Sequence, residues 1–185
     1  MASESEIRDL VRRVVDEIAV DGESPRRESS RSAGVAIGAD HGGFHLKEKL
    51  VAHLKDQGIA VVDCGTSSHD SVDYPDFAHA VANKVADGSC ECGIVIDGAG
   101  IGSSITANKV PGVRAALCYD ISSARNSREH NHANVLTLGA GLIGESLARQ
   151  IVDTWLQTPW GPGRHARRVE KIEEVERLYS SRAKE

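Results

Sequence analysis

No stretch of this sequence approaches the roughly 18 consecutive apolar residues that a membrane span needs. Its N-terminus carries no short apolar run followed by a cleavage site. Neither a membrane span nor a secretory leader is therefore expected, and the expected location is the cytoplasm. Prolines are few, 5 against 18 glycines, and 26% of residues are charged, a composition that excludes disordered and collagen-like chains. The four cysteines, Cys64, Cys90, Cys92 and Cys118, have neither CxxC nor paired-ligand spacing. Neither a disulfide framework nor a zinc site is indicated, and buried free thiols are the expectation. Positive charge is also lacking: the formal net charge is −5, so no field draws the chain onto nucleic acid or an anionic membrane. Any basic site is local. What is present, 185 residues with 40% hydrophobic content, suffices for one sizeable core.

The chain divides into a head, a hinge and a body. Over 1–20, Ile7, Leu10, Val11, Val14, Val15 and Ile18 recur at helical spacing while Arg8, Asp9, Arg12, Arg13, Asp16 and Glu17 fill the other face, which predicts an amphipathic helix. Residues 21–33 have no periodicity and are rich in Ser, Arg, Glu, Gly and Pro; they read as a flexible linker. From 34 to 185 short apolar runs alternate with helical patterns. Strands are expected at 35–39, 59–65, 93–98, 113–118 and 134–139. Helices are expected through Leu46, Leu50 and Leu54 and near 77–88, 102–109, 121–130, 144–157 and 165–180. This alternation predicts an α/β fold, a Rossmann-like three-layer sandwich around a five-stranded parallel sheet. Ligands of such sheets sit at the carboxyl ends of the strands, where strand order reverses.

The residues after the strands are therefore the ones to read for chemistry. Asp40 and His41 follow the first strand; Asp97 and the run Gly98-Ala99-Gly100-Ile101-Gly102-Ser103-Ser104 follow the third. His130 and Asn131 close a helix before the fifth, and all these groups are expected to gather at one edge. The glycine run lets backbone N–H groups approach an anion, although its GxGxG spacing is not the GxGxxG of a nicotinamide site and also suits a plain tight turn. Near the C-terminus Arg164 and Arg168, at i and i+4, share one helix face and can grip a phosphate; a solvated basic face is the alternative.

Taken together, the segments GADHGGFHLKEKL, VDYPDFAHAVA, GAGIGSSITANKVPGVRAALC, REHNHANVLTLGA and GRHARRVEKI resemble the ribose-5-phosphate isomerase B family, which includes galactose-6-phosphate isomerase subunits. The resemblance runs from Gly34 to Ile172. It implies cofactor-free, metal-free interconversion of aldose and ketose phosphates, ribose 5-phosphate first among them, by a homodimer or dimer of dimers that completes its sites across the interface. Asp40 and His41 would contact the sugar or phosphate and Tyr74 would wall the pocket. His130 would open the ring while Asn131 holds a hydroxyl. The backbone of Gly98, Ala99, Gly100, Ile101 and Gly102 would form an anion hole, and Arg164 and Arg168 the phosphate clamp, helped by Arg114 from the partner subunit.

The chain departs from the pattern where the family most often carries its catalytic cysteine: that residue is Asp97, the usual threonine two positions on is Ala99, and the alternative glutamate is replaced by Ser103. An aspartate there resembles one subunit type of the galactose-6-phosphate isomerases. Asp97 is then the base that moves a proton between C1 and C2, or a hydroxyl-binding group in a retuned pocket, or part of a silent fold that binds a sugar phosphate or partners an active homologue. A helix cap is its plainest role. Cys64 and Cys118 end strands but do not occupy the base position. The head resembles the encapsulation peptides that bring enzymes to bacterial microcompartment shells; packing on its own domain or joining two dimers are the competing readings.

Overall fold

The computed structural model describes residues 34–180; the helix expected over 1–20 and the linker over 21–33 lie outside the described residues. Three strands, β1 (Val35–Ala39), β3 (Cys92–Asp97) and β5 (Val135–Gly139), are buried at every position. That is the signature of strands covered on both faces. Each has two strand neighbours, whereas β2 (Val61–Asp63) and β4 (Ala115–Leu117) pair on one side only. With half their ladder missing, these two edges are shorter than the apolar runs at 59–65 and 113–118 predict. All pairs are parallel, in the order β2-β1-β3-β5-β4.

The helices are α1 (Phe44–Asp56), α2 (Tyr74–Ala86), α3 (Ile101–Ala107), α4 (Ile121–Asn131), α5 (Glu145–Gln157) and α6 (Pro162–Ser180). Two of them begin three residues before the apolar periodicity does. Pro75 lies in the first turn of α2 and Pro162 opens α6, and proline is preset for a helix start because its missing N–H would have no partner there anyway. Successive strand residues point to opposite faces. Ile37, Ile94, Ile96 and Leu136 pack with Leu50, Leu54, Ile151 and Trp155 on one side, while Ala36, Val95 and Val135 pack with Val81, Ala82 and Ala107 on the other. Trp155 is wholly buried, its indole N–H donates to Ser127 Oγ at 3.2 Å, and the Arg128 guanidinium lies 4.7 Å over the ring. Truncating such a side chain to alanine costs about 3–5 kcal/mol.

Strand order reverses between β1 and β3, which opens a crevice at their carboxyl ends. Asp40 and Asp97 flank it. Every strand is parallel, so each connecting helix returns the chain to the amino end of the sheet. The last residues of α4, the first of β4 and the first turn of α6 therefore all lie at that opposite end. The expectation that His130 and Asn131 gather at the same edge as Asp97 does not hold within one chain. Five residues of β5 at about 3.3 Å each put roughly 16 Å between the two ends.

Candidate active site

At the carboxyl end, the Asp97 carboxylate is 5% exposed and faces inward onto its own loop. Oδ1 accepts the N–H of Ala99 at 2.8 Å and that of Gly100. Oδ2 accepts the N–H of Ser103 at 3.0 Å and the Ser103 hydroxyl at 2.5 Å. A carboxylate offers about four lone-pair sites, and all are in use. Gly100, at the N-cap of α3, has φ 77°; this left-handed turn, which glycine adopts without strain, lets the loop wrap around the carboxylate. The cap itself is thus supplied by Asp97, three residues earlier. Two of the five N–H groups expected to form the anion hole, those of Ala99 and Gly100, hold Asp97 instead.

The rest of the crevice is built around that loop. Ala99 O accepts the Tyr119 hydroxyl at 2.6 Å. Gly102 lies flat against Tyr74: a Cβ there would meet the ring at 2.5 Å, so Tyr74 walls the glycine loop. His41 Nδ1 lies 3.2 Å from both the N and the O of Val72, tying down the segment that leads into α2. Beneath it, the wholly buried Lys47 ammonium pairs with Asp63 at 2.5 Å and Glu48 at 2.8 Å. Burial works against that charge, but the hydrogen bonds and charges of Asp63 and Glu48 together outweigh it and raise the Lys47 pKa. Among the described residues the carboxylate of Asp40, 8% exposed, accepts only the Gly43 N–H, at 2.9 Å, through Oδ1. Gly43 sits so close to the Ile96 carbonyl that no side chain fits.

The second cluster lies at the amino end. Asn126 Nδ2 donates to His130 Nδ1 at 2.9 Å, and Glu129 Oε1 lies 3.9 Å from Nε2. The ring stacks on His165, 4.1 Å between centroids. Burial first, then the charges of His130, Arg164 and Arg168, lower the His165 pKa. Arg164 and Arg168 extend exposed from α6 just beyond the break at Gly163 (φ 23°). Arg114 is committed within its own chain. Its Nε–H donates to His132 O at 3.0 Å and its Nη1 pairs with Glu173 at 3.4 Å, which ties the end of α4 to α6. Among the described residues no three His, Cys, Asp or Glu side chains group as a metal site, and no helix is long and apolar enough to cross a membrane.

The family model described as Ribose/Galactose Isomerase matches residues 35–172. The chain belongs to this family. It is 48% identical over 142 residues to the ribose-5-phosphate isomerase B of Escherichia coli, covering 77% of this chain and 95% of that one. Among solved structures, the ribose-5-phosphate isomerase B of Clostridium thermocellum is 54% identical with a TM-score of 0.78, covering 78% of this chain and 98% of its own. That of Mycoplasma genitalium, solved with bound ribulose 5-phosphate, is 42% identical with a TM-score of 0.75 over 77% and 95% of the two chains.

Reading the residues after strands located Asp40, His41 and Asp97. It missed the role of Ser103, six residues on, as a donor to Asp97, and it missed Tyr119, two residues beyond β4, which donates to Ala99 O in the same loop. Tyr119 was accessible to the same rule. Asn126, one helical turn before His130, was accessible from i, i+4 spacing.

Proposed function

We propose that this chain is an aldose–ketose isomerase of phosphosugars that interconverts ribose 5-phosphate and ribulose 5-phosphate. The reaction moves protons only and is redox-neutral, so it needs no cofactor. His130 Nε2 opens the ring, Asn131 steadies a hydroxyl, Arg164 and Arg168 clamp the phosphate, and Asp40, His41 and Tyr74 border the sugar. What carries this reading is that a chain 48% identical to a ribose-5-phosphate isomerase B supplies a carboxylate crevice and a cationic phosphate clamp. A single phosphosugar cannot bridge the roughly 16 Å between them.

Two copies solve that separation. In a two-fold dimer the amino-end cluster of one protomer covers the crevice of its partner, and both sites form at once. Ile101, Ile105 and Leu142, between 51% and 62% exposed, line the crevice edge, and exposed apolar surface of this kind suits burial against a second copy. Arg114, engaged with His132 and Glu173, serves by fixing the clamp helix. The test is turnover of ribose 5-phosphate and a panel of hexose 6-phosphates by the purified chain. Mixing an Asp40→Ala chain with an Arg164→Ala/Arg168→Ala chain then restores about a quarter of wild-type activity if sites are shared, and none if they are not.

One observation favours a second reading, binding without turnover: the carboxylate at position 97 has no free lone pair. Phosphosugar binding with no isomerisation of any sugar would establish it. For residues 1–20 we keep the targeting reading. Fused to an unrelated reporter they should co-localise with microcompartment shells, and diffuse signal in shell-making cells refutes it.

A further inference from the structure

We propose that Asp40, at the end of β1, is the base that carries the proton between C1 and C2, and that Asp97 only holds the adjoining loop. The inference rests on the isomerase reading above. The two carboxylates stand on neighbouring strands either side of the switch point, but they differ in what they have left to offer. Both Asp97 oxygens accept two hydrogen bonds each. Asp40 accepts one, through Oδ1, and its Oδ2 accepts none among the described residues.

Asp40 also faces the glycine loop across an open gap. A Cβ built on Gly42 would have Asp40 Oδ1 at 3.3 Å, Gly98 N at 3.7 Å and no other neighbour closer than 3.8 Å. The space beside the Gly43-bound Oδ1 therefore lies against the Gly98 backbone nitrogen, and Gly98 itself borders open space. A base and a donor flanking one gap is the arrangement that enediolate chemistry requires. The other groups nearby are engaged or unsuited. His41 Nδ1 is held by Val72, and burial raises the thiol pKa of Cys64 and Cys118, which keeps both protonated.

In the open-chain aldose the Asp40 carboxylate takes the C2 proton. The C2–H pair becomes the C1–C2 double bond, and the C1 carbonyl π pair moves onto O1, on the side of the gap that Gly98 N borders. The O2 proton passes to O1; O2 then re-forms a carbonyl at C2 as the double-bond pair takes the proton from Asp40 at C1. The carboxylate is restored and nothing is oxidised or reduced.

The experiment follows isomerisation and C2 hydrogen exchange of ribose 5-phosphate in D2O for the wild-type chain, Asp40→Asn, Asp97→Asn and Gly42→Ala. In Asp40→Asn the side-chain amide oxygen still accepts the Gly43 N–H, so the fold is retained. The kcat of this variant should fall by about 10²–10⁴-fold, with KM changed by less than about threefold and C2 exchange lost in step. Gly42→Ala plugs the gap and should also stop exchange, while folded Asp97→Asn continues to exchange. Exchange by Asp40→Asn within about tenfold of wild type, or its abolition in folded Asp97→Asn, overturns the assignment. An unaltered chain that turns over no phosphosugar removes the isomerase reading, and the base with it.

Discussion

If Asp97 holds its loop, removing its acceptors one at a time should destabilise the protein in a graded way. Ser103→Ala deletes one donor and leaves the three N–H bonds; a single hydrogen bond to a charged group contributes about 1.5–3 kcal/mol. Asp97→Asn keeps one acceptor oxygen for Ala99 and Gly100 but sets an NH2 group against the Ser103 N–H, orphaning a buried donor at a cost of about 1–3 kcal/mol. Asp97→Ala orphans the N–H groups of Ala99, Gly100 and Ser103 together. Partial rescue by water limits the loss to about 3–5 kcal/mol, less than the sum of single bonds because the donors share one partner. A domain with about 5–15 kcal/mol of stability survives this, shifted well down in denaturant midpoint. The assay is equilibrium urea unfolding of the three variants by far-UV circular dichroism, with m-values checked for constancy. Asp97→Ala within about 1 kcal/mol of wild type would refute the loop-holding argument, because three buried donors cannot be orphaned at so small a cost.

Other outcomes follow from the same geometry. Gly102→Ala forces only the movable Tyr74 ring, 2.5 Å from the new Cβ. It should change stability by less than about 1 kcal/mol yet raise KM for the phosphosugar, whereas Gly43→Ala meets the Ile96 backbone and should unfold the chain, both read by denaturation beside kinetics. Burial holds all four thiols above their ordinary pKa, Cys92 up to about 12, so iodoacetamide at neutral pH should leave turnover intact; rapid inactivation would point to a thiolate base. Burial first, then the charges of Arg114 and Arg128, lower the His132 pKa from 6.5. Below pH 6.5 the unfolded chain therefore binds the proton first, and stability falls as pH drops through the lowered value. His132→Asn, which tolerates the left-handed φ of 51°, should flatten that slope in pH-dependent thermal melts.

The sheet was legible because β1, β3 and β5 are apolar at nearly every position, a pattern that only two-sided burial rewards. The position of His130 was misread because a rule about residues after strands was extended to a residue before one. In an all-parallel sheet the parity of elements decides the end: whatever precedes a strand lies at its amino edge, so His130 and Asn131 could have been placed by counting alone. The bonding of Asp97 was not legible, since it depends on the left-handed turn at Gly100 and the closure of the loop back on a residue three positions before that turn.

That closure bears on how the site must be completed. The loop's donors to Asp97 already hold a fixed negative charge, so they cannot also stabilise a developing enediolate, and a bare crevice with two carboxylates repels an anionic sugar phosphate. Compensating cations are required within a few ångströms, because screened interactions fade beyond roughly 8–10 Å in physiological salt. The chain's own Arg164 and Arg168 stand on the first turns of α6, at the opposite end of a sheet whose β5 strand spans about 16 Å. On the two-protomer proposal an equivalent pair from a second copy would supply that charge, and a carboxylate at position 97 would make the dependence on it stronger than a neutral residue there would.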